Sequence, residues 1–163
     1  MLTREPRFPG AVMASLLIAV ILTIIPLGEQ ISFWRPEWIA LTLIHWALVI
    51  QDRVSLVMAF VVGIAIDTLY GSILGQHALG YVLVTYLSVR LGLRMNPEAF
   101  LQQTALLITT LGLYLLISLW VQGVTSNSDG SWLYWATLLS SVIIWPIYHA
   151  LLGYFHTQRK ALG

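Results

Sequence analysis

From Leu101 to Val121 the chain runs without a single charged residue. A helix needs about 20 apolar residues to cross a hydrocarbon core of about 30 Å, and this run supplies them. Lipid cannot satisfy backbone N–H and C=O groups, so the segment must pair them within itself, as a helix does. Comparable apolar runs recur along the whole chain. Read together they predict six transmembrane helices at about residues 11–27, 35–50, 54–69, 72–89, 99–121 and 132–155. Composition agrees: 58% of residues are hydrophobic, 9% are charged, and mean hydropathy is +0.83. An ordinary soluble domain carries roughly 25% charged residues. The fold class is therefore an all-α polytopic membrane protein, with residues 1–163 as a single transmembrane domain.

Several functions drop out at this point. No polar segment is large enough to house a nucleotide site, and neither a Walker glycine loop nor a dinucleotide fingerprint is present. A net charge of +1 gives no reason to expect nucleic acid. The absence of cysteine excludes disulfides, thiolate metal centres and lipidation at Cys.

The connections set the orientation. Met1–Gly10 is a basic leader with Arg4 and Arg7, and Ala11–Leu27 reads as a retained first helix rather than a signal peptide, for want of a small-residue cleavage site. Residues 29–37 form a polar connection that ends in Trp34-Arg35-Pro36-Glu37-Trp38, where proline at the first helical position would suit a helix start. The apolar part of the second span, Trp38 to Ile50, reaches only about 20 Å. Trp34, Arg35 and Trp38 are expected to extend it into the interface. Asp52 is a candidate cap for the third helix, and Asn96-Pro97-Glu98 holds cap, proline and first-turn acid in order for the fifth. Residues 122–131 read as an exposed loop, Trp145-Pro146 predicts a kink in the last span, and residues 156–163 read as a basic tail. On this scheme Arg4, Arg7, Arg53, Arg90, Arg94, Arg159 and Lys160 fall on one side and only Arg35 on the other. That bias places both termini in the cytoplasm and turns the junction of the third and fourth spans outward.

That junction, residues 63–79, holds the chain's densest polar chemistry. Asp67 sits at the outer end of the third helix, where burial in lipid and the negative end of the helix dipole both disfavour a carboxylate. A partner is required, and Arg35, His77 and solvent are the three options. Arg35 is the only basic residue on that side, so an Arg35–Asp67 pair tying the first outer loop to the junction is the leading expectation. Ala59, Gly63 and Asp67 share one helix face at four-residue spacing, which suits either close packing within the bundle or a partner helix. Gly71 and Gly75 continue the count across a turn at Tyr70-Gly71-Ser72, and Gln76 and His77 open the next helix. His45, His149 and His156 show no metal-pair spacing. Ser72 lacks a Gly-x-Ser-x-Gly setting, and Asp67 lacks the second carboxylate of an aspartyl dyad. No catalytic, cofactor or metal residues are expected.

Three motifs in order carry a resemblance: Arg35-Pro36-Glu37-Trp38, then Asp67-x-x-Tyr70-Gly71-x-x-x-Gly75-Gln76-His77, then Ser131-Trp-Leu-Tyr-Trp135 followed by Trp145-Pro146. Over roughly residues 30–155 the chain resembles MreD, the rod shape-determining inner-membrane family of bacteria. The resemblance implies a non-enzymatic scaffold that supports rod shape and lateral peptidoglycan synthesis. It implies a bitopic partner like MreC and, indirectly, MreB, RodA and a penicillin-binding transpeptidase, with membrane lipid around the bundle. It also implies a six-helix fold similar to the substrate-binding subunits of energy-coupling-factor transporters. Arg35, Pro36, Asp67, Tyr70, Gly71, Gly75, Gln76 and His77 carry over as partner-facing or structural positions. A homodimer stays open, as does an alternative function, a transporter subunit that binds a small molecule or lipid.

Overall fold

A computed structural model describes residues 9–26, 28, 32–50, 56–96, 99–125 and 135–161. Among them are six helices: α1 (Pro9–Ile24), α2 (Trp38–Val49), α3 (Leu56–Tyr70), α4 (Gln76–Gly92), α5 (Phe100–Thr125) and α6 (Ala136–Ala161). No described residue lies in a strand. The expected Asp52 cap, the Pro97 and Glu98 positions, and residues 131–134 of the aromatic motif fall outside the described residues.

Helix ends follow local chemistry. Pro9 opens α1, where its missing N–H costs nothing. The helix stops at Ile24, earlier than residue 27, because Pro26 disfavours helical geometry in the residue before it. Pro36 is not the first residue of α2 as expected. Glu37 takes the N-cap position and Trp38 begins the helix. The fourth helix starts at Gln76 rather than residue 72, because residues 71–75 are held in a turn. At the other end of the chain, α5 continues to Thr125, into the expected loop, whose residues 126–131 lie outside the described residues, and α6 runs through Pro146 as far as Ala161, so the described part of the basic tail is helical.

Contacts along each seam fix the helix directions. Ser15 meets Trp46, and Arg35 reaches Thr23 and Ile25, so α1 and α2 are antiparallel. Gly63 abuts Ala78 and Asp67 meets Gly75, so α3 and α4 are antiparallel. Gln103 bonds Trp145 and Gly112 faces Leu138, so α5 and α6 are antiparallel as well. On the α2–α6 seam, Phe33 pairs with Thr137, Glu37 with Ser141 and His45 with His149, each pair 104 residues apart. A constant offset means parallel helices. The N-terminal ends of α2 and α4 share one cleft with those of α6, so helix directions alternate along the chain.

The shortest helix is the most enclosed. Every residue from Ile39 to Leu48 is buried, with α1, α4 and α6 packed around it. At about 18 Å α2 is shorter than a hydrocarbon core of about 30 Å, and its middle is enclosed by protein while Val49 at its end is exposed. Among the described segments, Phe100–Val124 and Ala136–Tyr154 are each long and apolar enough to cross a bilayer alone. Gly10–Ile24, Trp38–Val49 and Leu56–Tyr70 are apolar but shorter.

The Ala59–Gly63–Asp67 face turns inward against α4. A Cβ on Gly63 would fall on the backbone of Ala78, so only glycine allows this approach. The small-residue stripe therefore serves packing within the bundle. One level on, Tyr114 of α5 lies over Gly80, and its ring stacks on Tyr81 at 5.8 Å.

Candidate functional site: a polar cleft at converging helix ends

The α3–α4 junction is built around two glycines. Gly71 has φ +62° and ends α3, with the Ser72 N–H bonded to the Asp67 carbonyl at 3.1 Å, the six-residue closure of a Schellman turn. Gly75 has φ +102° and occupies the N-cap position of α4. It has no side chain with which to cap the helix, so the first amides of α4 need an acceptor from elsewhere.

Asp67 supplies it. Oδ2 accepts from Gly75 N at 2.8 Å and Ala78 N at 3.4 Å. Oδ1 accepts from His77 N at 3.0 Å, His77 Nδ1 at 2.7 Å and Ser72 Oγ at 2.9 Å. The carboxylate is 1% exposed, with five donors around it. Its charge lies at the C-terminal end of α3, the unfavourable pole, but the N-terminal pole of α4 faces it directly and offsets that cost. Asp67 thus caps a helix that is not its own.

The expected Arg35–Asp67 pair does not form. Arg35 instead donates Nη1 to the Thr23 carbonyl and Nη2 to the Ile25 carbonyl at 2.6 Å. These are carbonyls at the C-terminal end of α1, which have no helical partners and carry negative dipole charge, and a guanidinium satisfies both needs. Tyr70 Oη adds a second donor to Thr23 O at 2.8 Å. His77, the alternative partner, is the one that holds Asp67. Each of the two charges therefore closes a helix end that water would close in a soluble protein.

Around these caps lies a cleft of about 130 Å³, lined by Thr23, Ser32, Arg35, Pro36, Glu37, Tyr70, His77, Tyr81 and Thr137. It gathers the C-terminal ends of α1 and α3 and the N-terminal ends of α2, α4 and α6. Of the residues singled out from sequence, Arg35, Pro36, Tyr70 and His77 reach it. Asp67 sits behind His77, while Gly71 and Gly75 shape the turn. Gln76 begins α4 with its N–H on Ile73 O at 3.0 Å. Thr23, Ser32, Glu37, Tyr81 and Thr137 are additions; Glu37 lies within the Arg35–Trp38 motif, while the other four come from separate segments with no shared spacing to reveal them. The rim is largely apolar and exposed: Phe33, Trp34, Ile73, Leu74 and the ring of Tyr70 are exposed at this end of the bundle.

The geometry argues against nucleophilic catalysis. Ser72 and the Nδ1 edge of His77 both point at the same Asp67 oxygen. A serine activated by histidine would sit at the opposite ring nitrogen, with the carboxylate on the far side. Among the described residues no group of three or more His, Cys, Asp or Glu side chains comes together as a metal would need.

A family model described as rod shape-determining protein MreD matches residues 7–155. The rod shape-determining protein MreD of Haemophilus influenzae is 27% identical over 139 residues, which cover 83% of this chain and 83% of that protein. No solved structure matches.

Proposed function

The chain belongs to the MreD family of rod shape-determining proteins, and from that membership we propose that it is a non-enzymatic membrane scaffold of bacterial cell elongation. In this reading residues 1–163 form one transmembrane domain in the inner membrane, and all six helices cross the bilayer. Both termini face the cytoplasm, and the cleft faces outward. The alternating helix directions support this arrangement, as does the seven-to-one division of Lys and Arg. The scaffold engages a bitopic partner resembling MreC and through it works beside MreB, RodA and a penicillin-binding transpeptidase. The kinship with energy-coupling-factor substrate-binding subunits belongs to the same proposal.

One observation carries the scaffold reading. Two charged groups at the cleft end are spent on helix ends, Asp67 on α4 and Arg35 on α1, while Glu37 lines the cleft and the exposed rim is aromatic and aliphatic. A rigid apolar rim on a preorganised base is what a protein partner uses for its anchoring contacts. At this cleft the small-molecule alternative fares worse on size. Ligand pockets run to roughly 300–1,000 Å³, and this cleft has about 130 Å³.

Photocrosslinking residues placed at Tyr70, Leu74 and Gln76 in living cells test the proposal. A product with a bitopic membrane protein is expected. Crosslinks confined to lipid or to a small ligand refute partner binding at this face. Separately, cells depleted of the protein should round up, and cells that stay rod-shaped under all growth conditions refute the shape role.

A further inference from the structure

Two histidines far apart in sequence meet inside the bundle. His45 Nδ1 on α2 and His149 Nδ1 on α6 are 3.0 Å apart, with ring centroids at 4.6 Å and planes inclined by 66°. His45 is 1% exposed. The pair belongs to a ladder of polar contacts along the α2–α6 seam: Phe33 O with Thr137, Glu37 N with Ser141, Thr42 with Tyr148, then the two rings. The scaffold reading makes no use of it.

Two neutral imidazoles make this contact in only one way. One Nδ1 carries hydrogen and the other is bare, so the rings are opposite tautomers. A first added proton goes to the far nitrogen of the donor ring and leaves a charge-assisted N–H···N bond in place. A second has only the bare facing nitrogen to take, which sets N–H against N–H and cation against cation.

We propose that the His45–His149 pair is a proton-binding site that joins α2 to α6 when it holds no added proton or one, and parts them when it holds two. Among the described residues, the titratable groups around the pair leave ring–ring coupling dominant, that of α5 being Tyr114, stacked on Tyr81 of α4. On α6, Tyr148 Oη is bonded to Thr42 Oγ1 at 2.8 Å and Tyr154 is exposed. The described length of α1 contains no titratable side chain. On α4, Tyr86 and Arg90 are exposed, while His77 and Tyr81 belong to the cleft end.

The test uses the full chain in lipid nanodiscs with nitrogen-15 in the histidine rings, followed by NMR as pH falls. The expected result is opposite tautomers at high pH and two coupled steps, the second proton binding on the order of a hundredfold more weakly than the first. His45→Gln should reduce His149 to one step at a shifted position. In parallel, spin labels on Val49→Cys and Tyr154→Cys, in a chain with no native cysteine, should give a distance that lengthens below the second step. That change should vanish with His45→Gln or His149→Gln. Identical tautomers, independent titration of the two rings, or a label distance indifferent to pH would each overturn the proposal. The tautomer measurement needs no variant, so it decides even if a substituted chain fails to fold.

Discussion

Replacing Asp67 by asparagine should loosen the start of α4 out of proportion to the change in size. Five donors converge on the carboxylate, and three are backbone amides of Gly75, His77 and Ala78 that cannot turn away. An amide has one acceptor oxygen. If that oxygen replaces Oδ1, the NH₂ group faces the Gly75 and Ala78 amides. If it replaces Oδ2, the NH₂ faces the His77 amide. Either way a buried donor is stranded and the charge-assisted bonds become neutral, for a loss of about 2–4 kcal/mol. Asp67→Ala should cost more, because no acceptor remains. Two measurements check this: stability in mixed lipid–detergent micelles, and hydrogen exchange over residues 75–78, where protection should fall roughly tenfold for each 1.4 kcal/mol lost. Unchanged exchange in that turn, with stability within about 0.5 kcal/mol of the parent, would refute the cross-helix cap. The swap Arg35→Asp with Asp67→Arg should restore nothing, since the two side chains serve different helices.

Three further outcomes follow from the same contacts. Gly63→Ala places a methyl on the Ala78 backbone, so it should destabilise by about 1–3 kcal/mol through forced separation of α3 and α4, read by the same unfolding assay; an equal or raised stability counts against the close approach. Gly75→Ala meets open space but requires a left-handed conformation at φ +102°, and should cost about 1–2 kcal/mol, whereas the equally uncrowded Gly123→Ala within α5 should be neutral or stabilising. Arg35→Lys keeps the charge but loses the two-pronged contact with the Thr23 and Ile25 carbonyls; faster hydrogen exchange in the last turn of α1, which relies on that contact for its end geometry, is the expected readout.

Much of the architecture was legible in the residues because lipid leaves the backbone few choices. Charge-free runs had to become helices, and the observed helices lie within a few residues of the expected spans. The turn at Tyr70-Gly71-Ser72 was legible and Gly71 does take a positive φ, whereas the ends of α1 were not, since the helix begins at Pro9 and stops at Ile24, before Pro26, where residues 11–27 were expected. At α5 and α6 the helix runs further than the expected spans, to Thr125 and Ala161, because polar residues in the last turns of a long helix can leave the bilayer and remain helical. Spacing could also show that Asp67 needed compensation, since an isolated carboxylate at a helix C-terminus is costly whatever surrounds it.

Which group provides that compensation was a matter of tertiary structure. Opposite charge pointed to Arg35, but hydrogen-bond geometry settled on the nearer and more numerous donors of α4, leaving the guanidinium to the carbonyls of α1. The position of α2 was equally hidden: a short apolar helix has no polar face to declare its neighbours, and only packing puts it at the centre. The meeting of His45 with His149 across 104 residues left no local trace either. Helix formation is decided within a few turns of chain, where each amide meets its own carbonyl. Which side chain completes a helix end, or faces another ring, depends on separate helices arriving at one point in space.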